Sequence, residues 1–339
     1  MAILEQVIFR ANASKKTGYG HIMRCLALAQ YLVKKDIECV LFTTNPKNHI
    51  VEEWNNYGIS VLDIGNKKDG DELMFVMDAI SISPKKCIYI VDGYDIDSQY
   101  FKLARELGFK VAVIDDLADR EIEADWIINQ NAGAECNFKY NVNDDAKLLL
   151  GDQFVILRQE FLNNKSSGGG GILITLGGAD EYNLGLNAFK YFSEYKLNVN
   201  VHLVHAGNSK SFQEAETLSK KHPNLFVSKK GSMLSLMLKA DIAFCAGGVT
   251  SLEFAYLGVP SVITIIADNQ RPGAISLEKS GAAIIGDDIK SSVEEAINLM
   301  KDKLKRQKMS RAGRILVDGK GVNRIYDTFQ TSFDLIMVQ

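Results

Sequence analysis

The chain has few cysteines and places none of them usefully for a metal or a disulfide framework. Cys25, Cys39, Cys87, Cys136 and Cys245 are scattered, odd in number and without a CxxC pair. That excludes a zinc cage or a stapled secreted fold and fits a reducing cytoplasm. Long hydrophobic runs are absent too. Stretches such as Cys87–Val91 and Val262–Ala267 fall far short of the ~18–20 residues that span a bilayer. The N-terminus carries Glu5 and has neither a basic nor an apolar leader region, so no signal peptide is expected. There is no basic excess: 39 Lys and Arg stand against 42 Asp and Glu, a net charge of −3. That balance excludes a dedicated nucleic-acid binder. Two nucleotide motifs are missing as well. No GxxxxGK[ST] occurs, and Met23 stands where a GxGxxG fingerprint starting at Gly18 needs its last glycine.

What is present is an alternation of short apolar runs with helical stretches. The 339 residues, 46% hydrophobic and 24% charged, suggest about two globular domains. Val7–Arg10, Cys39–Phe42, Lys86–Val91, Lys110–Ile114 and Trp126–Ile128 read as strands. His21–Lys34 reads as a helix, with Ile22, Leu26, Ala29 and Val33 on one face. After the polar, glycine-rich segment Asn163–Gly171 the pattern restarts with Ile172–Leu176, Val199–Val204, Leu225–Val227, Ile242–Cys245 and Ser261–Ile266. The expectation is α/β, with two doubly wound, mainly parallel domains facing a cleft. Their expected bounds are 1–160 and 172–320, joined by a linker over 161–171, with a C-terminal helix in 321–339 packing back. A long surface loop inside one domain is the alternative for the glycine-rich segment. The C-terminal stretch Asn323–Ile336 places Ile325, Phe329 and Phe333 on one helical face.

In such sheets ligands lie beyond the carboxyl ends of the strands, so the loops there carry the chemistry. The first, Thr17–Arg24, has Gly18 and Gly20 for a tight turn, and His21 opens a helix. The positive helix end disfavours imidazolium there, leaving a base able to take a proton; a surface or packed histidine is the alternative. Asp92 and Asp95, then Asp115 and Asp116, follow two strands and serve either a ligand or helix caps. Gly177-Gly178, ahead of Asn183, bares backbone N–H groups for an anion. The richest loop is Ala246–Glu253. Gly247 and Gly248 permit close approach of a diphosphate, Thr250 and Ser251 offer hydroxyls, and Glu253 could take both hydroxyls of a ribose. A capping box of Thr250 and Glu253 fits the same letters. Asn269 and Gln270 follow the next strand. His49, His202, His205 and His222 draw no role.

These segments together resemble a known group. Gly247–Glu253, Gly258-Val259-Pro260 and Asn269-Gln270 resemble the nucleotide-sugar half of GT-B enzymes of the MurG type. Arg10–Ser14 with Gly18–Arg24, then Val91–Tyr94, Ile114–Asp116, Asn129–Ala132, Leu157–Phe161 and Gly177–Asn183, are similar to the PseG family of UDP-2,4-diacetamido-2,4,6-trideoxy-β-L-altropyranose hydrolases. That resemblance implies a GT-B fold and hydrolysis of a UDP-linked deoxyamino sugar at its anomeric carbon, with inversion and release of UDP. The context it implies is pseudaminic acid synthesis for flagellin or surface polysaccharide. It makes His21 the catalytic base, assigns Tyr94 and Asn269 to sugar or water, and assigns Asn183 and Glu253 to the nucleotide-sugar. Gly20, Gly178, Gly247, Gly248, Thr250, Ser251 and Gln270 would line the same substrate. No metal and no cofactor is called for. The partner is a small UDP-sugar, without nucleic acid or membrane insertion. Gly93 departs from the family, which often has histidine there. A GT-B glycosyltransferase and a hydrolysing UDP-sugar 2-epimerase are the alternative enzymes; a silent nucleotide-sugar-binding subunit is the non-enzymatic one.

Overall fold

A computed structural model describes residues 4–13, 19–67, 69–176, 182–205, 209–229 and 233–335. The chain divides into two units, one made of residues 1–159 with 320–339 and the other of residues 160–319. Unit one runs β1 (Gln6–Ala11), α1 (Gly20–Val33), β2 (Glu38–Thr43), α2 (Asn48–Asn55), β3 (Ser60–Asp63), α3 (Asp69–Ala79), β4 (Cys87–Asp92), α4 (Ser98–Glu106), β5 (Lys110–Ile114), β6 (Glu121–Ile122), β7 (Trp126–Asn129), α5 (Ala134–Asn137), β8 (Asn141–Val142) and β9 (Lys147–Leu150). Unit two runs β10 (Ile172–Thr175), α6 (Leu184–Ser193), β11 (Val201–His205), α7 (Ser209–Ser219), β12 (Leu225–Lys229), α8 (Met233–Lys239), β13 (Ile242–Ala246), α9 (Val249–Leu257), β14 (Ser261–Thr264), α10 (Arg271–Lys279), β15 (Ala283–Gly286), α11 (Ile289–Lys301) and α12 (Lys303–Leu316). The chain then returns to unit one as α13 (Gly321–Leu335).

Each unit is built on a parallel sheet, in the orders β3-β2-β1-β4-β5-β7-β9 and β12-β11-β10-β13-β14-β15. Strand order therefore reverses between β1 and β4 in one sheet and between β10 and β13 in the other. At such a reversal the two crossover helices leave for opposite faces and open a crevice at the carboxyl ends. The central strands β1 and β4 are buried along their whole length, because helices cover both faces.

Side-chain parity decides what reaches each face. Ile88 and Ile90 of β4 lie in the core under α1, as do Ala112 and Ile114 of β5. Alternation then turns Asp92 and Asp116 to that same α1 face. Tyr89, Val91 and Val113 join the opposite core. In α1, Ile22, Leu26 and Ala29 are buried against the sheet. In α13, Ile325, Phe329 and Phe333 are buried in unit one, with Phe329 edge-on to Trp126 at 4.8 Å.

The glycine-rich segment is fastened along unit two. Ser166 N–H donates to the Leu257 carbonyl at 3.0 Å, and Gly169 and Gly171 N–H donate to the Asp241 carboxylate at 2.9 Å each. Gly171, at φ +83°, lies so close to Asn200 that a Cβ would fall 2.1 Å from its carbonyl oxygen. Only glycine fits there.

Candidate active site

In unit one the site grows from the start of α1. Residues 14–18 lie outside the described residues; Gly20 opens the helix, exposed, with free space where a Cβ would point. His21 and Arg24 are three residues apart and so share one helix face. That face looks onto the strand-order reversal, where β4 ends in Asp92. His21 Nδ1 is hydrogen-bonded to Asp92 Oδ1. Arg24 grips the same carboxylate with two nitrogens, Nε to Oδ2 at 2.5 Å and Nη2 to Oδ1 at 2.7 Å. Its third nitrogen, Nη1, reaches Asp116 Oδ2 at 2.7 Å. Tyr94 donates to that Asp116 oxygen at 2.9 Å, and its ring stands edge-on to His21, centroids 4.7 Å apart. Asn131 Nδ2 donates to Asp116 Oδ1 at 3.2 Å.

The charges are deeply buried and mutually satisfied. Burial alone would push the Asp92 carboxyl up, but Arg24 and then His21 reverse this and hold it below the usual carboxylate range. Burial works against the Arg24 charge, and Asp116 and Asp92 outweigh it. Burial and the neighbouring Asp116 carboxylate push the Tyr94 hydroxyl up, so it stays a proton donor. An ionised Asp92 only accepts hydrogen bonds. In the neutral ring the His21 proton therefore sits on Nδ1 and the lone pair on Nε2. No described residue takes Nε2 in a hydrogen bond. His21 is 7% exposed, and what holds its ring is this polar cluster rather than the aliphatic core.

Sequence reasoning gave roles to His21 and Tyr94, left Asp92 and Asp116 between ligand binding and helix capping, and gave Arg24 and Asn131 no role. The signal was available: a helix partner at i+3, and an aspartate whose parity follows two buried isoleucines. Asp115 goes elsewhere. Its Oδ2 accepts from Leu117 and Ala118 N–H at 3.0 and 2.7 Å, so it closes the turn after β5.

In unit two the other candidates follow β10, β13 and β14 in the chain. Gly178 lies outside the described residues. Asn183 precedes α6 in the left-handed region at φ +52°, and its buried Oδ1 has no hydrogen-bond partner among the described residues. The capping box does not form: the residue capping α9 is Gly248, without a side-chain cap, which puts Thr250 and Glu253 inside the helix. Ser251 is buried, and its hydroxyl donates back to the Gly248 carbonyl at 2.7 Å, closing the first helical turn. Glu253 is buried and Thr250 half-buried. Gly247 is glycine because α10 and the turn before it press close, Gln270 and Ala274 standing 3.3 Å from where its Cβ would be. Gln270 Nε2 lies 3.9 Å from the corresponding point of Gly248, which places Gln270 beside the loop. Asn269 is exposed in the turn after β14.

No protein-family model matches the chain. It is 22% identical to the spore coat polysaccharide biosynthesis protein SpsG of Bacillus subtilis, over 96% of this chain and 97% of that one. It is 24% identical to the uncharacterized protein MJ1062 of Methanocaldococcus jannaschii over 77% of this chain, but spans only 55% of that longer protein. Among solved structures, MurG of Acinetobacter baumannii superposes with a TM-score of 0.65 at 18% identity, over 96% of this chain and 99% of that one. The chain has the GT-B fold. The two Rossmann-like units expected from the sequence are those of that fold.

Proposed function

We propose that the chain hydrolyses a UDP-linked deoxy-diacetamido sugar at the anomeric carbon, releasing UDP and the free sugar. In this reading unit two holds the nucleotide at the loop of Gly247, Gly248 and Glu253, with Asn183 close to the chain turn after β10. His21 Nε2 takes a proton from water as the water attacks, and Asp92 steadies the imidazolium that forms. Backbone N–H groups offset the charge of the departing diphosphate. The observation that carries the reading is the orientation of His21 by an Asp92 carboxylate that Arg24 clamps from two sides. It supplies an oriented base without a second nucleophile. The fold shared with MurG and the polysaccharide context in the name of SpsG support a nucleotide-sugar as the substrate class.

The deciding assay incubates purified chain with UDP-linked diacetamido-trideoxyhexoses, and separately with UDP-N-acetylglucosamine, in the absence of any acceptor. Release of UDP and free sugar, abolished by His21→Ala with UDP affinity retained, is the expected result. UDP release only after adding a hydroxyl acceptor would turn the reading to transfer. Solvent deuterium at C2 of the product would turn it to epimerisation. UDP binding without turnover of any sugar would leave a binding subunit.

A further inference from the structure

Helix α12 carries six of its fourteen residues as Lys or Arg: Lys303, Lys305, Arg306, Lys308, Arg311 and Arg314. Its inner side packs on unit two through Met309 and Gly313, the latter so close to α9 that a Cβ would stand 2.8 Å from the Ala255 carbonyl. Arg306 is turned inward and donates to the Leu299 and Met300 carbonyls at the end of α11. The outward face is different. Leu304, Lys308, Arg311 and Ile315 follow one another at spacings of four, three and four, so they form a single stripe. Leu304 is 71% exposed and Ile315 75% exposed, the two most exposed large aliphatic residues among those described. Lys303 and Lys305 flank them, both exposed. Asp302, at the start of the helix, is its N-cap and accepts from Lys305 N–H at 2.8 Å. Among the described residues no ion pair engages Lys303, Lys305, Lys308 or Arg311.

We propose that this face of α12 docks the protein on an anionic phospholipid bilayer. The argument is charge complementarity combined with the aliphatic pair. A concentrated positive surface on a chain of net charge −3 attracts a negatively charged surface locally, whatever the overall balance. Leu304 and Ile315 stand about 16 Å apart along the helix at 1.5 Å per residue, one at each end of the cations. A flat interface accepts both ends at once, letting the aliphatic tips enter the headgroup region while the Lys and Arg stems reach lipid phosphates. Nucleic acid would use the cations but leave two exposed aliphatics unexplained. No helix of the described residues is long and apolar enough to cross a membrane, so the attachment is peripheral.

The test is co-sedimentation of the full chain with vesicles of phosphatidylcholine alone and of phosphatidylcholine mixed with phosphatidylserine, at low and high salt. Binding is expected only to the phosphatidylserine vesicles and only at low salt. Each lost cation should weaken partitioning about fivefold, so Lys308→Ala/Arg311→Ala should lose about twenty-fivefold. Leu304→Ser/Ile315→Ser should weaken binding even with every charge kept, which a purely ionic contact would not show. All four positions are exposed, so folding is preserved, and a thermal melt verifies it. Equal binding to both vesicle types, no binding to either, or retention on polyuridylate RNA without vesicle binding would each overturn the proposal. None of these readouts uses catalytic turnover, so failure of the assigned reaction leaves this test standing.

Discussion

Replacing Asp92 by asparagine is the sharpest test of the unit-one cluster, because the change is isosteric and its consequence is set by hydrogen-bond direction. Arg24 Nε points at Oδ2, while Arg24 Nη2 and His21 Nδ1 both meet Oδ1. An asparagine can put its carbonyl at only one of those places. With oxygen facing Nε, the amide NH2 donates to His21 Nδ1, the imidazole proton moves to Nε2, and the lone pair sits on the wrong nitrogen. With oxygen facing Nδ1, the NH2 group meets the Arg24 Nε–H head-on inside the protein. Either arrangement sets the amide NH2 against one Arg24 nitrogen, Nη2 in the first and Nε in the second, and both remove the carboxylate charge that would steady the imidazolium. A general base contributes about 10²–10⁴-fold, so kcat for UDP release should fall by that factor, about 2.7–5.5 kcal/mol of barrier.

The assay is steady-state UDP release, with UDP affinity measured by calorimetry on the same preparation and a melting curve to show the fold is intact. UDP affinity should stay within about twofold, since the loop proposed to hold the nucleotide belongs to the other unit. His21→Ala and the double variant complete a cycle. If the two residues act as one base, the double variant loses no more than His21→Ala alone. Full activity in Asp92→Asn, or losses that simply multiply, would refute the assignment of Asp92 as the residue orienting the base.

The remaining predictions address stability and binding. Asp92 has its folded pKa lowered, so it contributes stability above the ordinary carboxylate range that is lost as pH falls through that range toward the folded value. The urea midpoint of wild type should therefore drop more steeply between about pH 5 and pH 2 than that of Asp92→Asn; parallel curves would contradict this. Asn183→Gly keeps a residue that tolerates positive φ and removes only the amide, so UDP affinity should weaken about tenfold with an unchanged melting temperature. Unaltered affinity by calorimetry would exclude Asn183 from the nucleotide site. Phe329→Ala removes a fully buried ring that packs on Trp126 and should cost about 3–5 kcal/mol in denaturant unfolding. A loss below about 1 kcal/mol would show that α13 is not part of the unit-one core.

Sequence reading recovered the buried central strands and one edge strand, Leu225–Lys229, and for the central ones the reason is physical. Ile8, Phe9, Ile88, Ile90, Val111 and Val113 sit between two helical layers, so β1, β4 and β5 read as continuous apolar runs. Ser60–Asp63, Lys147–Leu150 and Ala283–Gly286 were not read as strands, and all three are sheet edges. An edge strand buries less: Ser60 and Asp63 of β3 are exposed, as are Lys147 and Leu148 of β9. The expected histidine was recognisable because a glycine turn delivers it to a helix start. The cluster around it draws on positions 92, 116 and 131, which meet only when parallel register is known: Ala11 pairs with Asp92, and Asp92 with Ile114. Local letters cannot supply that register. The same limit explains Ser251, whose i−3 bond to the Gly248 carbonyl depends on where α9 begins.

Unit one buries a second charged cluster, and the two differ in what they leave uncommitted. On the opposite face of the sheet Arg10 donates to both oxygens of Glu72, at 2.5 and 3.1 Å. Tyr100 also donates to Glu72 at 2.5 Å, and its hydroxyl oxygen is within hydrogen-bond distance of Tyr89. Every strong polar group there is consumed by a neighbour, so the cluster ties α3 and α4 to the sheet and offers nothing to a substrate. The His21 cluster is built with the same economy except at one atom. Both Asp92 oxygens, three Arg24 nitrogens, the Tyr94 hydroxyl and Asp116 are engaged within it, yet no described residue takes Nε2. Buried ion clusters add little net stability over apolar packing of equal volume. Stability alone therefore explains neither, and the cluster whose one uncommitted nitrogen stands at the strand-order reversal is the one suited to moving a proton.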